Sequence, residues 1–232
     1  MNAPDKCPWH QRVRRWAQTN LTENDPPIYD PALWRKRWRD SRIGGIIVNA
    51  GGIVAYFPSK FSYHYRAQHL GDRDLLGEIV AAARAEGLAV LARMDSNRAL
   101  PDFYEAHPDW FCRTMEGQPF EHAGRYAACV NSPYYKEYIP DLLREIYAHC
   151  EPDGFTDNSW TGVGRDSICH CANCRKQFRE EAGDNLPQSV DWDSPLYRRW
   201  IRWSYDCRLA NWDLNNQTTK AFGGKNCLWL GM

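Results

Sequence analysis

Short apolar runs alternate with longer amphipathic segments along most of the chain. The runs "GGIIVNAGG" (44–52) and "LAVLARMDSN" (88–97) are apolar at consecutive positions, as strands are when both faces of a sheet are covered. Three further runs are predicted to be strands: residues 14–21, 153–160 and 226–231. Five segments have the apolar period or the end residues of helices: residues 30–42, 72–87, 132–150, 169–182 and 194–222.

Five strands that alternate with helices indicate parallel βαβ units and therefore an α/β fold. A doubly wound sheet usually carries a glycine-rich turn after its first strand, and "TNLTEND" (19–25) is not such a turn. A TIM-type (β/α)8 barrel is favoured, because barrels place their sites at the C-terminal ends of strands. Polar residues stand at those ends here: Asn20, Asn49, Asp95 and Asp157.

About five βα units fit in this chain, so the predicted barrel is partial. We expect a tail over residues 1–13 and one barrel-type domain over residues 14–232, truncated after its fifth strand. The chain is then a piece of a longer protein, or it completes its barrel as a homo-oligomer.

Charge and hydropathy narrow the class of partner. Lys plus Arg and Asp plus Glu both number 29, so nothing favours nucleic acid or an anionic membrane surface. No apolar run approaches the roughly 18 residues of a membrane span. Arg14 and Arg15 are not followed by the apolar stretch of a secretory signal. We therefore expect a cytoplasmic protein whose thiols stay reduced.

Three of the cysteines lie close together, at positions 169, 171 and 174. The total of nine is odd and fits a disulfide framework poorly. Metal binding and buried free thiols are the two readings that remain. Four other cysteines are predicted to be isolated and inert: Cys7, Cys112, Cys207 and Cys227.

A family resemblance rests on five segments: "GGIIVNAGGIVAYFPS", "HPDWFCRTMEGQPF", "CVNSPYYKEY", "DGFTDN" and "CHCANCRKQF". Together they resemble the hypothetical glycosyl hydrolase 6 group, near the α-L-fucosidase-like and family 42 β-galactosidase-like barrels. The resemblance runs from about residue 14 to the end but covers only the N-terminal half of such a barrel. It implies a (β/α)8 fold that acts on a carbohydrate and names no sugar.

Family 42 β-galactosidases, a more distant likeness, carry a zinc site of the form Cys…Cys-x-Cys-x2-Cys. This implies a structural zinc in the present chain, since four thiolates leave no coordination position open for water. The implied ligands are Cys129, Cys169, Cys171 and Cys174, with Cys150 as a substitute for Cys129.

Glycoside hydrolysis needs two carboxyl groups beside the scissile bond. In "DGFTDNSW" (153–160), Asp157 stands at the tip of the predicted strand. The α-L-fucosidase-like resemblance implies that Asp157 is the nucleophile of a retaining mechanism. Where family 42 enzymes have Asn-Glu, this chain has Asn158-Ser159, so the acid/base would lie beyond this chain. The alternative is that Asp157 caps a turn or holds a sugar hydroxyl.

Six residues are candidate substrate ligands, five of them by strand-end position: Asn20, Glu23, Asn49, Asp95, Trp110 and Asn158. Trp110 offers a ring for a sugar to stack on, although a tryptophan in such an insertion also serves as packing. The predicted function is a retaining glycosidase. A non-catalytic carbohydrate-binding barrel with a structural zinc is the alternative, and a metal-dependent hydrolase is disfavoured by the closed site.

Overall fold

The computed structural model describes residues 7–231, and its central feature is a sheet of five parallel strands. They are β1 (Trp16–Thr19), β2 (Gly45–Gly52), β3 (Ala89–Asp95), β4 (Gly154–Asp157) and β5 (Leu228–Trp229). Each strand pairs with the next strand of this series along the chain. Because a doubly wound sheet reverses its strand order part-way, this order confirms the predicted partial barrel.

Seven α-helices lie in residues 7–231: five coincide with the predicted helical segments, and the short first and fourth helices lie outside those segments. They are α1 (Trp9–Arg12), α2 (Pro31–Asp40), α3 (Leu75–Ala85), α4 (Pro101–Ala106), α5 (Ile139–Cys150), α6 (Ala172–Ala182) and α7 (Pro195–Gly223). The Asp74 carboxylate caps α3 by accepting a hydrogen bond from the Gly77 N–H at 2.9 Å. Helix α6 begins three residues later than predicted, because the backbone at Cys171 is still extended.

Side chains on the strands alternate between two faces of the sheet. One face packs against the helices in a single buried cluster, to which Val48, Met94 and Phe155 belong. The other face lines the barrel interior, where Ile47 and Leu91 form a separate apolar cluster. The helix-facing side chains are therefore interleaved, residue by residue, with those that point into the barrel.

The N-terminal segment closes the barrel interior at the start of the strands. The Trp9 ring is 7% exposed, meets the Trp16 ring at 5.7 Å between centroids, and donates from Nε1 to the Asn226 carbonyl at 2.8 Å. Val13 is 8% exposed in the same cluster. Within the predicted N-terminal tail, residues 9–13 thus bury apolar surface against the barrel; residues 1–6 lie outside the described part.

The opposite end of the barrel carries two insertions. A 3-10 turn, Pro108–Trp110, and a π-helical turn, Tyr134–Tyr138, lie between β3 and α5. The same stretch contains a small antiparallel sheet, here called the rim sheet, of Arg98–Ala99, Glu121–His122 and Arg125–Ala127. After β2, Val54–Ala55 pairs in parallel with Tyr65–Arg66. These insertions surround the C-terminal ends of the strands.

None of the helices in residues 7–231 is both long and apolar enough to cross a bilayer.

Candidate functional site

An open pocket of about 650 Å³ lies at the C-terminal ends of the barrel strands. Its wall is mostly polar, and its prominent side chains are Glu23, Asn49, Arg93, Asp95, Asn158 and Trp160. Barrel enzymes place their sites at this end, because the loops that follow the strands converge there.

A chain of hydrogen bonds fixes the polar side chains at the floor of the pocket. Arg93 donates from Nη2 to Asp95 Oδ2 at 2.8 Å, and from Nη1 to Asn20 Oδ1. Asn49 donates from Nδ2 to the same Asp95 oxygen at 3.4 Å and accepts from the Leu21 N–H at 3.0 Å. Because Arg93 is only 8% exposed, its pairing with Asp95 offsets the cost of burying the guanidinium.

Four of the predicted substrate ligands line this pocket: Glu23, Asn49, Asp95 and Asn158. Glu23 accepts from the Gln68 N–H at 2.8 Å and the Tyr65 hydroxyl at 3.1 Å. Asn20 reaches the pocket indirectly, through its hydrogen bond to Arg93. The C-terminal ends of the strands therefore bring together side chains that are far apart in the sequence.

Trp110 does not line the pocket. Its ring stacks on His107, with centroids 4.2 Å apart, and lies 5.9 Å from the ring of Phe103. The Trp110 ring thus packs within the aromatic insertion, and the indole in the pocket wall is that of Trp160. Sugar stacking by Trp110 stays a prediction.

Asp157 stands at the tip of β4, as predicted, but its side chain lies on the helix-facing side of the sheet. It pairs in register with Met94, which is fully buried among helix residues, and it shares its face with Phe155. The carboxyl accepts from the Ser159 N–H at 2.9 Å and from the Ser96 hydroxyl. With this orientation, Asp157 is not one of the residues that line the pocket.

Burial governs the ionisation of Asp157. Its removal from water raises the pKa of the carboxyl to about 6, against the lowering effect of hydrogen bonds from Ser96 and Ser159. Only 6% of the residue is exposed. The carboxylate is thus costly to charge where it lies, and its fixed hydrogen bonds hold the end of β4 against the loop after β3.

Several pocket residues are absent from the sequence-based set. Arg93 lies two residues before Asp95, so strand alternation puts both on the same face, and this signal was available. Trp160 follows the tip of β4 by three residues. Arg98 and Arg125 come from the rim sheet, whose strands are too short to show a periodic pattern.

Four buried cysteines form a second site beside the pocket. The sulfurs of Cys129, Cys169, Cys171 and Cys174 all lie within 4.8 Å of one another. From Cys129 Sγ, the distances to the other three are 4.0 Å (Cys169), 3.3 Å (Cys171) and 3.5 Å (Cys174). A tetrahedral ion with metal–sulfur bonds of about 2.3 Å needs sulfurs about 3.8 Å apart. The cluster therefore fits one metal ion.

Donors around the cluster also suit thiolates. Asn131 approaches Cys129 Sγ with its backbone N–H and Cys174 Sγ with its side-chain amide, both at 3.4 Å. Such N–H groups orient and stabilise metal-bound sulfur.

Two predictions about the other cysteines are corrected by the structure. Cys112 is not isolated, since it is buried in the same cluster of side chains as the four thiols. Cys150 does not substitute for Cys129: it is on α5, where its thiol donates to the Ile146 carbonyl at 3.4 Å.

Comparison with known protein families shows which family the chain belongs to. Residues 39–159, just over half of the chain, match the family described as Hypothetical glycosyl hydrolase 6. The chain belongs to this family. A β-galactosidase from Thermus thermophilus is 32% identical over 109 residues, which are 45% of this chain and 17% of that protein.

Two solved structures show the same fold. The α-L-fucosidase isoenzyme 2 from Paenibacillus thiaminolyticus superimposes with a TM-score of 0.69 at 19% identity, over 94% of this chain and 32% of its own. The β-galactosidase from Rahnella sp. R3 gives a TM-score of 0.65 at 17% identity, over 94% of this chain and 35% of its own. The chain spans about a third of the length of these barrel-containing glycosidases.

The buried carboxyl of Asp157 yields a prediction about stability and pH. Because its folded pKa, about 6, lies above the ordinary 3.8, the folded state holds this proton more tightly than the unfolded state. The resulting stabilisation is present below about pH 4 and is lost as the pH rises through about 6. An Asp157→Asn substitution removes this dependence. The free energy of unfolding of the variant, relative to that of the wild type, should therefore rise by about 3 kcal/mol as the pH goes from below about 4 to above about 6.

Urea unfolding of both proteins from about pH 4 to about pH 8 measures this difference. Asp213→Asn, which changes an exposed aspartate on α7, is the matched control and should follow the wild type. A constant difference between Asp157→Asn and wild type across this range would show that Asp157 is not buried as described.

Proposed function

We propose that this chain is part of a glycoside hydrolase and that its pocket binds a sugar. The observation that carries the proposal is the convergence of Glu23, Asn49, Asp95 and Asn158 in one polar pocket beside Trp160. Membership of the Hypothetical glycosyl hydrolase 6 family supports it, as do relatives named β-galactosidase and α-L-fucosidase.

The chemistry of the wall suits a sugar. A sugar ring presents hydroxyl groups that both donate and accept, and amide and carboxylate side chains such as Asn49 and Asp95 offer the complementary atoms. The indole of Trp160 supplies an apolar surface for the C–H face of the ring. The pocket volume of about 650 Å³ lies within the usual range for small-molecule sites.

Two carboxylates of this chain, those of Glu23 and Asp95, line the pocket. Asp95 is on the barrel-facing side of β3 and is partly exposed, with 29% of its side chain accessible. We therefore assign to Asp95 the contact with a sugar hydroxyl, and to Asp157 the positioning of the β4 tip. Hydrolysis also needs groups from the rest of the barrel, including the acid/base expected beyond this chain.

A retaining mechanism with Asp157 as nucleophile is the second candidate. Its position at the tip of β4, next to the pocket residue Asn158, favours it. The candidate requires the carboxyl to leave Ser96 and turn through the strand end to the barrel side. A nucleophile and a positioning residue give different kinetics, so a pair of substitutions separates the two candidates.

In the full-length protein, Asp95→Asn should lower kcat/KM on the best of a panel of aryl glycosides by about 100-fold, because a charged hydrogen bond to the sugar is lost. Asp157→Asn should lower it by less than about tenfold, since an amide oxygen still accepts from Ser96 and Ser159.

The reverse result would establish Asp157 as the nucleophile: turnover abolished by Asp157→Asn, sugar affinity unchanged, and activity restored to an Asp157→Gly variant by added azide. Sugar binding by the full-length protein without cleavage of any glycoside would favour the non-catalytic alternative.

We also propose that the four-cysteine cluster holds zinc. Supporting this are the sulfur spacing, the burial of all four thiols and the N–H donors of Asn131. With four thiolate ligands, zinc is structural, because no position is left for water or substrate. It would tie the segment that begins at Cys129 to the loop after β4, which also carries Asn158 and Trp160 into the pocket wall.

Protein purified without chelator should contain about one zinc per chain by elemental analysis. Cys171→Ser should lose the metal and melt about 10 °C lower, on the scale of about 3 kcal/mol for a domain of this size. Cys227→Ser is the matched control, because it removes an equally buried thiol from a different cluster of side chains and leaves the four sulfurs intact. Wild-type protein free of zinc would contradict the proposal, as would a Cys171→Ser variant with unchanged melting temperature.

A further inference from the structure

A second cavity of about 380 Å³ adjoins the sugar pocket. Four residues line both spaces: Asn97, Arg98, Arg125 and Trp160. The second cavity continues between the rim sheet and the loop after β4, past His122 and Gly164. The two spaces are therefore neighbouring compartments that meet at a shared wall.

The register of the rim sheet places its basic side chains on one face. Arg98 pairs with Ala127, and His122 pairs with Arg125. Because residues two apart in a strand point to the same side, Arg125 shares the face of Ala127 and hence of Arg98. Arg98, Arg125 and His122 thus project together, and all three line the second cavity.

These two arginines lack counter-ions. Within residues 7–231, no carboxylate lies within ion-pair distance of either guanidinium, whereas Arg93 nearby is paired with Asp95. Glu121 is the one acidic residue among those that line the second cavity, and its Oε1 accepts from the Gly124 N–H at 2.5 Å. Two guanidinium groups on one face of the rim sheet, both lining a cavity, attract an anion, and their planar N–H pairs suit a carboxylate or a sulfate.

The Trp160 side chain is a fixed part of the wall that the two compartments share. Its Nε1 donates to the Val163 carbonyl at 3.2 Å, and the Arg208 guanidinium lies 5.1 Å from the ring centroid. A ring held at its edge and by a cation–π contact presents a rigid surface. Because Trp160 lines both compartments, sugar units bound in the two of them would belong to the same oligosaccharide.

We propose that the second cavity is a subsite for an acidic sugar, so that the ligand is an oligosaccharide with a carboxylate or sulfate group on the unit next to the one in the pocket. The proposal rests on the proposed function of the pocket. Arg98 and Arg125 bind the acidic group, and the pocket residues Asn49 and Asp95 bind the neighbouring unit.

The test is calorimetric binding of trisaccharides to the full-length protein. The probes are trimers of galacturonic, glucuronic and mannuronic acid, each beside its carboxyl-reduced neutral form, and sulfated trisaccharides in a separate arm. At least one acidic trimer should bind about tenfold or more tightly than its neutral form, and the advantage should shrink from about 50 mM to about 500 mM NaCl. The arm that shows the advantage identifies the acidic group.

The double variant Arg98→Gln/Arg125→Gln should bind the acidic trimer no better than its own neutral form; a preference for the acidic trimer as large as that of the wild type would overturn the subsite. Arg12→Gln/Arg202→Gln, which removes the same charge at exposed positions outside both cavities, should keep the preference. Equal binding of acidic and neutral forms by the wild type would overturn the acidic subsite and leave the proposed function standing. Failure of every probe, neutral forms included, would overturn both.

Discussion

The two-residue alternation of parallel strands determines which side chains can meet a ligand in this protein. In β2 and β3, Asn49, Arg93 and Asp95 occupy barrel-facing positions, whereas Val48 and Met94 face the helices. The same register carries into β4 and puts the Asp157 carboxyl on the helix side. A shift of the strand register by one residue would exchange the barrel-facing and the helix-facing side chains. The burial of the apolar side chains against the helices therefore determines which side chains line the pocket.

The two ends of the barrel interior are closed by different chemistry. At the start of the strands, Trp9 and Val13 fill the interior with apolar surface. At the other end, the Arg93–Asp95 pair and Asn49 form the hydrogen-bonded floor of the open pocket. Burial of apolar area stabilises the fold at the first end, while the second keeps polar atoms positioned for a ligand. The cysteine cluster adds a separate support, because it joins the segment at Cys129 to the loop that bears Trp160.

Much of this arrangement was predictable from local signals. The strands and helices follow apolar runs and capping residues such as Asp74 and Ser194. The four-cysteine cluster follows from a tight spacing and from the resemblance to family 42 β-galactosidases. The face of Asp157 was not predictable. Alternation within a strand of four residues shows that Phe155 and Asp157 share a side, but only the pairing with β3 shows which side it is. Arg98 and Arg125 depend on pairing within an insertion that has no regular pattern.

Strand register places Asn49, Asp95 and Asn158 at the pocket and turns Asp157 away from it. A crystal structure of the full-length protein with a bound sugar is the sharpest test of this arrangement. We expect a sugar ring within hydrogen-bond distance of Asn49 and Asp95 and beside Trp160, with Asp157 still bonded to Ser96 and Ser159. A structure in which the Asp157 carboxyl has left Ser96 and lies within about 3.5 Å of the anomeric carbon would contradict this arrangement.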